Sequence, residues 1–395
     1  MTKRLYFLDW LRVIAVGAVF LVHAILPFAG GSWIVTDREA STLAALLAGL
    51  FNQFGIPLLF LVSGAGVWFA LRTRDAWQFI GERLKRLGVP FLFGIVIFSP
   101  IQSYFHLRTN EAFAGTLLHH YIPQFFRSNH FTSRDFQWVG SYGYHLWYLL
   151  FLLVFSLLAL GLFIYLRRSP DTINRLTSLI RLRGSTLLLA LPLIAVQTLL
   201  RPRFPDYLGW ADFSFWLVFF IYGYVLVADG QFMEAVQRDF KIAVGVFIVS
   251  LGVIAGIFFR EVGSELHTTA DYYSDALPLL VAITVNSWVL ILMMLAVGKR
   301  WLNNPHSFLD ELNEAVLPFY LLHHAPIVVI GFFATRWEIS SGIKFTVITF
   351  GSLFITLALY IMVVKRFNVL RFLMGMRRLP RSSNKTEHLI MDSED

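Results

Sequence analysis

Arg12 and His23 stand eleven residues apart in the stretch RLYFLDWLRVIAVGAVFLVHAILPF, residues 4 to 28. Eleven residues make about three helical turns, so in a helix the guanidinium and the imidazole share a face, about 16 Å apart along the axis. Asp9, three residues before Arg12, is placed to pair with it. A neutral imidazole is a general base or a nucleophile, and a guanidinium steadies an oxyanion or the base itself. A second pair of imidazoles, His323 and His324, lies in NEAVLPFYLLHHAP (313 to 326), with His323 nine residues beyond Glu314. That is about 14 Å along a helix, a depth comparable with that of His23. Neighbours on a helix point about 100° apart, so one of His323 and His324 is expected to face the interior.

A third constellation is basic. GERLKRLGVP, residues 81 to 90, sets Arg83 and Arg86 three apart, with Lys85 beside them and Pro90 just beyond. Guanidinium forks match phosphate oxygens bidentately, so the pair suits a nucleotide or a pyrophosphate. The plainer reading is a positively charged anchor at a membrane face. The sequence holds no glycine-rich phosphate loop.

The elements that must position these groups are membrane helices. Hydrophobic residues make up 57% of the chain, aromatic residues 16% and charged residues only 15%, far from the soluble average. Apolar runs of spanning length recur at about 13–30, 43–71, 87–105, 145–166, 184–200, 213–228, 242–259, 276–298, 315–334 and 345–364. None contains Asp, Glu, Lys or Arg, and none alternates with period two, so an all-α polytopic protein of about ten transmembrane helices is expected rather than a barrel. With the N-terminus inside, 24 of the 33 Lys and Arg residues fall in inside segments and 9 outside, which places both termini in the cytoplasm. The net charge of +8 then follows from topology and the anionic inner leaflet, and gives no reason to propose nucleic acid as a partner. The first run also has the basic start of a secretory signal, but it is long for one. The absence of cysteine removes disulfides, a thiolate nucleophile and a cysteine metal site, and no metal is expected.

Within the ten runs the only histidines are His23, His145, His323 and His324. Intramembrane ionisable groups are functional candidates by default; the alternative is a neutral histidine bonded to a neighbouring helix. Asn52, Gln53 and Ser63 in FNQFGIPLLFLVSGAG read first as interhelical hydrogen-bonding groups, and otherwise as lining of a path through the bundle. Residues 106 to 144 form the longest outside segment and carry His106, His119, His120 and His130 among many aromatic residues. They read as an interfacial aromatic belt, or as a lid whose rings stack on a sugar. The tail from 367 to 395 is polar and expected to be disordered.

Four of these stretches together resemble the membrane acyltransferase-3 family, most closely its periplasmic glucan succinyltransferase branch. They are YFLDWLR followed by His23, RLKRLGVP, HLWYLLFLLV and NEAVLPFYLLHHAP, in order from about residue 4 to 366. The resemblance implies a ten-helix domain over residues 1–366 in a bacterial cytoplasmic membrane. It implies transfer of an acetyl or succinyl group from cytoplasmic acyl-CoA to a hydroxyl of an extracytoplasmic glycan or lipid-linked saccharide, in company with glycan-synthesis proteins. It casts His23 and Arg12 as the essential first-helix pair and Arg83 and Arg86 as the family's R-x-x-R pair. His145, His323 and His324 follow the pattern of the branch, with Ala325 as a departure. On these grounds His23 is expected to act as a base, or to carry the acyl group itself, with Arg12 and a second histidine assisting. Coenzyme A would leave past Arg83 and Arg86. The competing class is a secondary transporter with midmembrane histidines, which would call for glycine-interrupted helices in matching halves that the sequence does not show; a scaffold for glycan export is a third.

Overall fold

The computed structural model describes residues 4–31, 33–110, 113–119, 124–127, 139–140, 143–262 and 269–379, with side chains for all of these but 110, 258–262 and 269–276. Every regular element among the described residues is helical. Short turns aside, the helices are α1 Tyr6–Ile25, α2 Thr42–Thr73, α3 Ala76–Ile97, α4 Ser99–Asn110, α5 Trp147–Leu158, α6 Leu160–Arg168, α7 Pro170–Leu179 and α8 Ala190–Leu200. There follow α9 Trp210–Ala228, α10 Gly230–Arg238, α11 Phe240–Val262, α12 Thr269–Trp301, α13 Leu309–Leu322, α14 His324–Ala334, α15 Ser341–Leu359 and α16 Asn368–Leu373.

Six helices among the described residues are long and apolar enough to cross a membrane singly: those built on α1, α2, α9, α11, α12 and α15. Three bent pairs, α3 with α4 at 41°, α5 with α6 at 44° and α13 with α14 at 49°, pass the same test of length and composition together, which brings the candidate spans to as many as nine when each pair is counted as one. The remaining expected run, 184–200, is the shorter apolar helix Ser185–Leu200. Two of the bends have a sequence cause. Pro100 and Pro326 fall in the first turns of α4 and α14, where the missing N–H is tolerated, but each leaves the carbonyl four residues earlier without its helical donor.

Close backbone approach sets the centre of the bundle. α2 and α9 make its most extensive helix pairing, and they meet at glycine on both sides. A Cβ at Gly64 would lie far inside van der Waals contact with the Phe220 carbonyl oxygen, and one at Gly223 far inside contact with that of Leu61. Phe60, Phe155, Phe219 and Phe220, all fully buried, fill the space around this crossing. Gln53 bonds across to Asn286 and Ser287 on α12, and Asn286 in turn accepts from Ser250 Oγ on α11 at 2.9 Å. Gln53 is thus an interhelical hydrogen-bonding group, as its position in the run leads one to expect.

The link between α1 and α2 folds back over the end of α1. Asp37 N–H donates to the Pro27 carbonyl and Ser41 N–H to that of Phe28, both at 2.8 Å, and Ser41 Oγ caps α2 by accepting from Ala44 N–H. The Asp37 carboxylate is 1% exposed and meets Lys344 Nζ of α15, 6% exposed, at 2.9 Å. Breaking a buried pair strands a charge at a cost of about 3–5 kcal/mol. Lys344→Met should therefore lower the thermal midpoint in detergent clearly, and Asp37→Asn combined with Lys344→Met should recover part of the loss. A Lys344→Met protein that melts with the wild type would refute this role for the pair.

The C-terminal region differs from expectation. The chain does not turn into disordered tail at 367: α16 is docked, and Arg371 is only 3% exposed. Arg371 pairs with Glu314 of α13 at 2.5 Å, and burying the paired guanidinium holds the segment against the bundle. Hydropathy alone reads this arginine-rich stretch as solvated because its ion-pair partner lies 57 residues away in sequence. Residues 380–395 lie outside the described residues.

Candidate active site

His23 is near the end of α1, His145 at the start of the crossing that contains α5, and His323 and His324 at the break between α13 and α14. The fold gathers all four. His23 ring centroid lies 5.2 Å from that of His323, 4.5 Å from His324 and 6.3 Å from His145. His145 and His324 stack at 4.6 Å with their planes 5° apart. Both His323 and His324 are therefore turned inward, at 0% and 2% exposure, against the expectation of one. The helix axis bends by 49° between them, so the one-sided burial expected of a continuous helix does not carry across this point.

Hydrogen bonds orient this cluster. The Tyr320 carbonyl accepts from His323 Nδ1–H at 2.7 Å and from His145 Nε2–H at 3.1 Å. With its proton on Nδ1, neutral His323 presents the lone pair of Nε2, and His23 Nδ1–H donates to it at 3.0 Å. His23 is left with an unprotonated Nε2, the arrangement a base or nucleophile requires. The Tyr320 hydroxyl donates to the His145 carbonyl, locking the α13 and α5 crossings together. His145 Nδ1 and His324 Nδ1 are buried with no partner among the described residues. Buried unpaired nitrogens are costly, and they are acceptors and donors available to a bound molecule.

Two cavities meet at Tyr320. One, of about 410 Å³, is lined by His23, His145, His324, Asn52 and the rings of Trp33, Tyr144, Trp147 and Tyr207. Trp33 lies 6.5 Å from His23 in a near-parallel stack and 5.7 Å from His324. The other, of about 350 Å³, is lined by Arg12, Arg74, Arg83 and Arg86, with Glu82, Ser63, Tyr148 and Asn313. The chain order of the lining residues shows that they open at opposite ends of the bundle. α1 gives Arg12 and Val16 to the arginine cavity and Val19, Val22 and His23 to the aromatic one. α2, running the other way, gives Ser63 to Arg74 to the first and Asn52 and Ile56 to the second.

The arginine cavity is short of acid. Glu82 pairs with Arg74 at 2.5 Å and reaches Arg86 only at 4.0 Å, while the Arg83 guanidinium lies over the Phe79 ring at 4.8 Å. Asp9 is turned toward Arg4 at 2.7 Å and stands 3.7 Å from Arg12, so the clamp expected on Arg12 is loose. Arg12 and His23 share a face as their spacing requires, yet they line different cavities. His323, and not Arg12, is therefore the group that contacts the His23 ring. Leu84–Gly88 forms a turn of π-helix; Arg83 and Arg86 line the same cavity, while Lys85 is exposed and does not line it. Ser63 Oγ is hydrogen-bonded to Tyr148 Oη at 3.0 Å on the cavity wall. His106 and His119 line neither cavity, and His120 and His130 lie outside the described residues, as does about half of the segment 106–144 read as a lid. No three His, Asp or Glu side chains among the described residues are arranged to hold a metal ion.

A family model described as an acyltransferase domain matches residues 5–364, nearly all of the membrane region just described. The chain belongs to the acyltransferase-3 family. It is a multi-pass membrane acyltransferase, and the aromatic and arginine cavities lie within its acyltransferase domain. It is similar to glucans biosynthesis protein C of Escherichia coli strain SMS-3-5 / SECEC, 21% identical over 370 residues that cover 87% of each chain. The proteins of the same name from strains O139:H28 and K12 match with the same identity and coverage. No solved structure matches.

Sequence reasoning passed over several residues of this acyltransferase's cavities. Trp33 and Tyr207 lie in links between helices, where no periodicity points inward. Tyr320 shows no signal beyond its place one turn before His323. Arg74 and Glu82 were open to the same argument as Arg83, being cationic and anionic groups at the end of an apolar run.

Proposed function

We propose that the chain carries an acetyl or succinyl group from acyl-CoA, bound from the cytoplasm in the arginine cavity, to a hydroxyl of an extracytoplasmic glycan or lipid-linked saccharide in the aromatic cavity. The observation that carries this reading is the pair of cavities of opposite chemistry separated by Tyr320 and the histidine cluster. A nucleotide donor brings phosphates, which guanidinium groups bind, and a saccharide brings C–H faces and hydroxyls, which aromatic rings and imidazoles bind. The name of the E. coli relatives supports a glucan as acceptor. The Lys and Arg asymmetry supports the sidedness: ten spans with both termini cytoplasmic in a bacterial inner membrane put the arginine cavity inside. Glycan-synthesis proteins and membrane lipid are the natural partners of such an enzyme.

In the reaction, His23 Nε2 takes the proton of the acceptor hydroxyl as its oxygen bonds to the thioester carbonyl carbon. The carbon–sulfur bond then breaks, the proton passes to sulfur, and coenzyme A leaves through the arginine cavity. His323 holds the His23 ring and shares the imidazolium charge, while His145 and His324 offer Nδ1 atoms to the acceptor. No metal takes part in this scheme.

Charge-assisted hydrogen bonds are worth about 1.5–3 kcal/mol. Replacing both Arg83 and Arg86 by Ala should raise the KM for acyl-CoA by roughly 10- to 100-fold, with the KM for the acceptor unmoved, in reconstituted vesicles. An unchanged donor KM, or accumulation of a solute by such vesicles without any acyl donor, would overturn the reading.

A further inference from the structure

The docked C-terminal segment touches the arginine cavity from its outer side. α16 ends in a left-handed Gly375, with Gly375 N–H donating to the Phe372 carbonyl at 3.0 Å and Met376 N–H to that of Arg371 at 2.7 Å. This is a Schellman cap, and it turns the chain sharply back. The returning backbone is then fixed by Arg371 Nε, which donates to the Arg377 carbonyl at 2.8 Å, while the same guanidinium holds Glu314. A Cβ at Gly375 would come to 2.7 Å from both the Arg86 carbonyl oxygen and Leu317 Cδ2, and 3.1 Å from Pro90 Cγ. Arg86 and Leu317 are themselves lining residues of the arginine cavity. The hook is therefore wedged between the arginine-bearing π-turn and α13, with Met374 and Met376 buried beneath it at 3% and 8% exposure. Arg377, the next residue, is exposed and lies within the electrostatic reach of the Arg86 guanidinium.

We propose that this hook, residues 368–379, is part of the donor site, and that Arg377 is a phosphate-binding residue at its mouth. The proposal rests on the donor reading of the arginine cavity. Four arginines against one glutamate on the cavity wall leave three guanidinium charges in excess. A donor with a diphosphate bridge and a phosphomonoester carries roughly four negative charges at neutral pH. Arg377 brings that excess to four. It lies outside residues 5–364, which match the family. The Arg371–Glu314 pair has a function on this view: it sets the hook at a fixed distance from α13, the helix that leads to His323.

The test is calorimetric binding of coenzyme A, and of pantetheine as the phosphate-free probe, to the full chain in detergent. Arg377→Glu should weaken coenzyme A binding about tenfold or more and make the remaining binding less salt-dependent than that of the wild type. Pantetheine binding should not change, and Arg377→Lys should recover most of the affinity. Arg377→Glu alters an exposed side chain, so folding is not at stake. Wild-type binding of coenzyme A with Arg377→Glu within twofold of it would overturn the role of Arg377 alone. Absence of coenzyme A binding by the wild type would overturn the donor reading beneath it.

Discussion

His23→Ala is expected to lower acyl transfer by about 10²- to 10⁴-fold, the range that removal of a positioned base or nucleophile produces. Protein level and coenzyme A affinity should stay as in the wild type, since His23 lines the aromatic cavity and the arginines proposed to hold the donor line the other. The size of the effect comes from the relay of hydrogen bonds, Tyr320 carbonyl to His323 to His23, which fixes the protonation of each ring. His323→Ala removes only the group that orients the base, so its loss should be smaller and should fall on kcat. Equal losses for the two variants, or transfer by His23→Ala near the wild-type rate, would contradict the assignment of His23 as the reacting imidazole. An acyl group trapped on His23 after donor alone would select the covalent variant of the mechanism over direct attack.

The second large effect is on folding. Gly64→Ala and Gly223→Ala should each abolish the monodisperse species in detergent, because the new methyl group meets a backbone carbonyl that cannot move aside. Overpacking a core costs about 1–3 kcal/mol when side chains can shift, and here the obstacle is the facing helix itself. Small residues at such crossings let membrane helices approach closely enough to gain dispersion energy where hydrophobicity supplies none. Gly17→Ala on α1 is the control, since a Cβ there meets nothing within 4 Å. It should express and fold as the wild type does. Normal yields of Gly64→Ala or Gly223→Ala would mean that the α2–α9 crossing is looser than described.

Much of this was legible in the residues. Apolar runs of spanning length lead to a helical membrane protein, and His23 eleven residues beyond Arg12 leads to a shared face. Spacing along one helix could not show that the two groups open into different cavities, because the wall between them is Tyr320 from another helix. The inward turn of both His323 and His324 was hidden for a related reason: helical periodicity assumes a continuous axis, and the axis breaks there. Pro326 was the visible sign of that break. Trp33, fixed over the histidines by a link whose anchor is the Asp37–Lys344 pair, depends on residues 307 apart in sequence. The Arg371–Glu314 pair that orders the C-terminal hook is likewise tertiary, which is why a polar, basic stretch reads as tail.

The central claim is that acyl groups cross from the arginine cavity to the aromatic one at His23 and reach an envelope saccharide. Mass spectrometry of envelope glycans from cells carrying the wild-type chain, the His23→Ala chain at equal level, or neither, tests it most directly. The account predicts a glycan bearing an added acetyl or succinyl mass in the first and the unmodified glycan in the other two. Identical glycans in all three, or acylation that persists with His23→Ala, would contradict it.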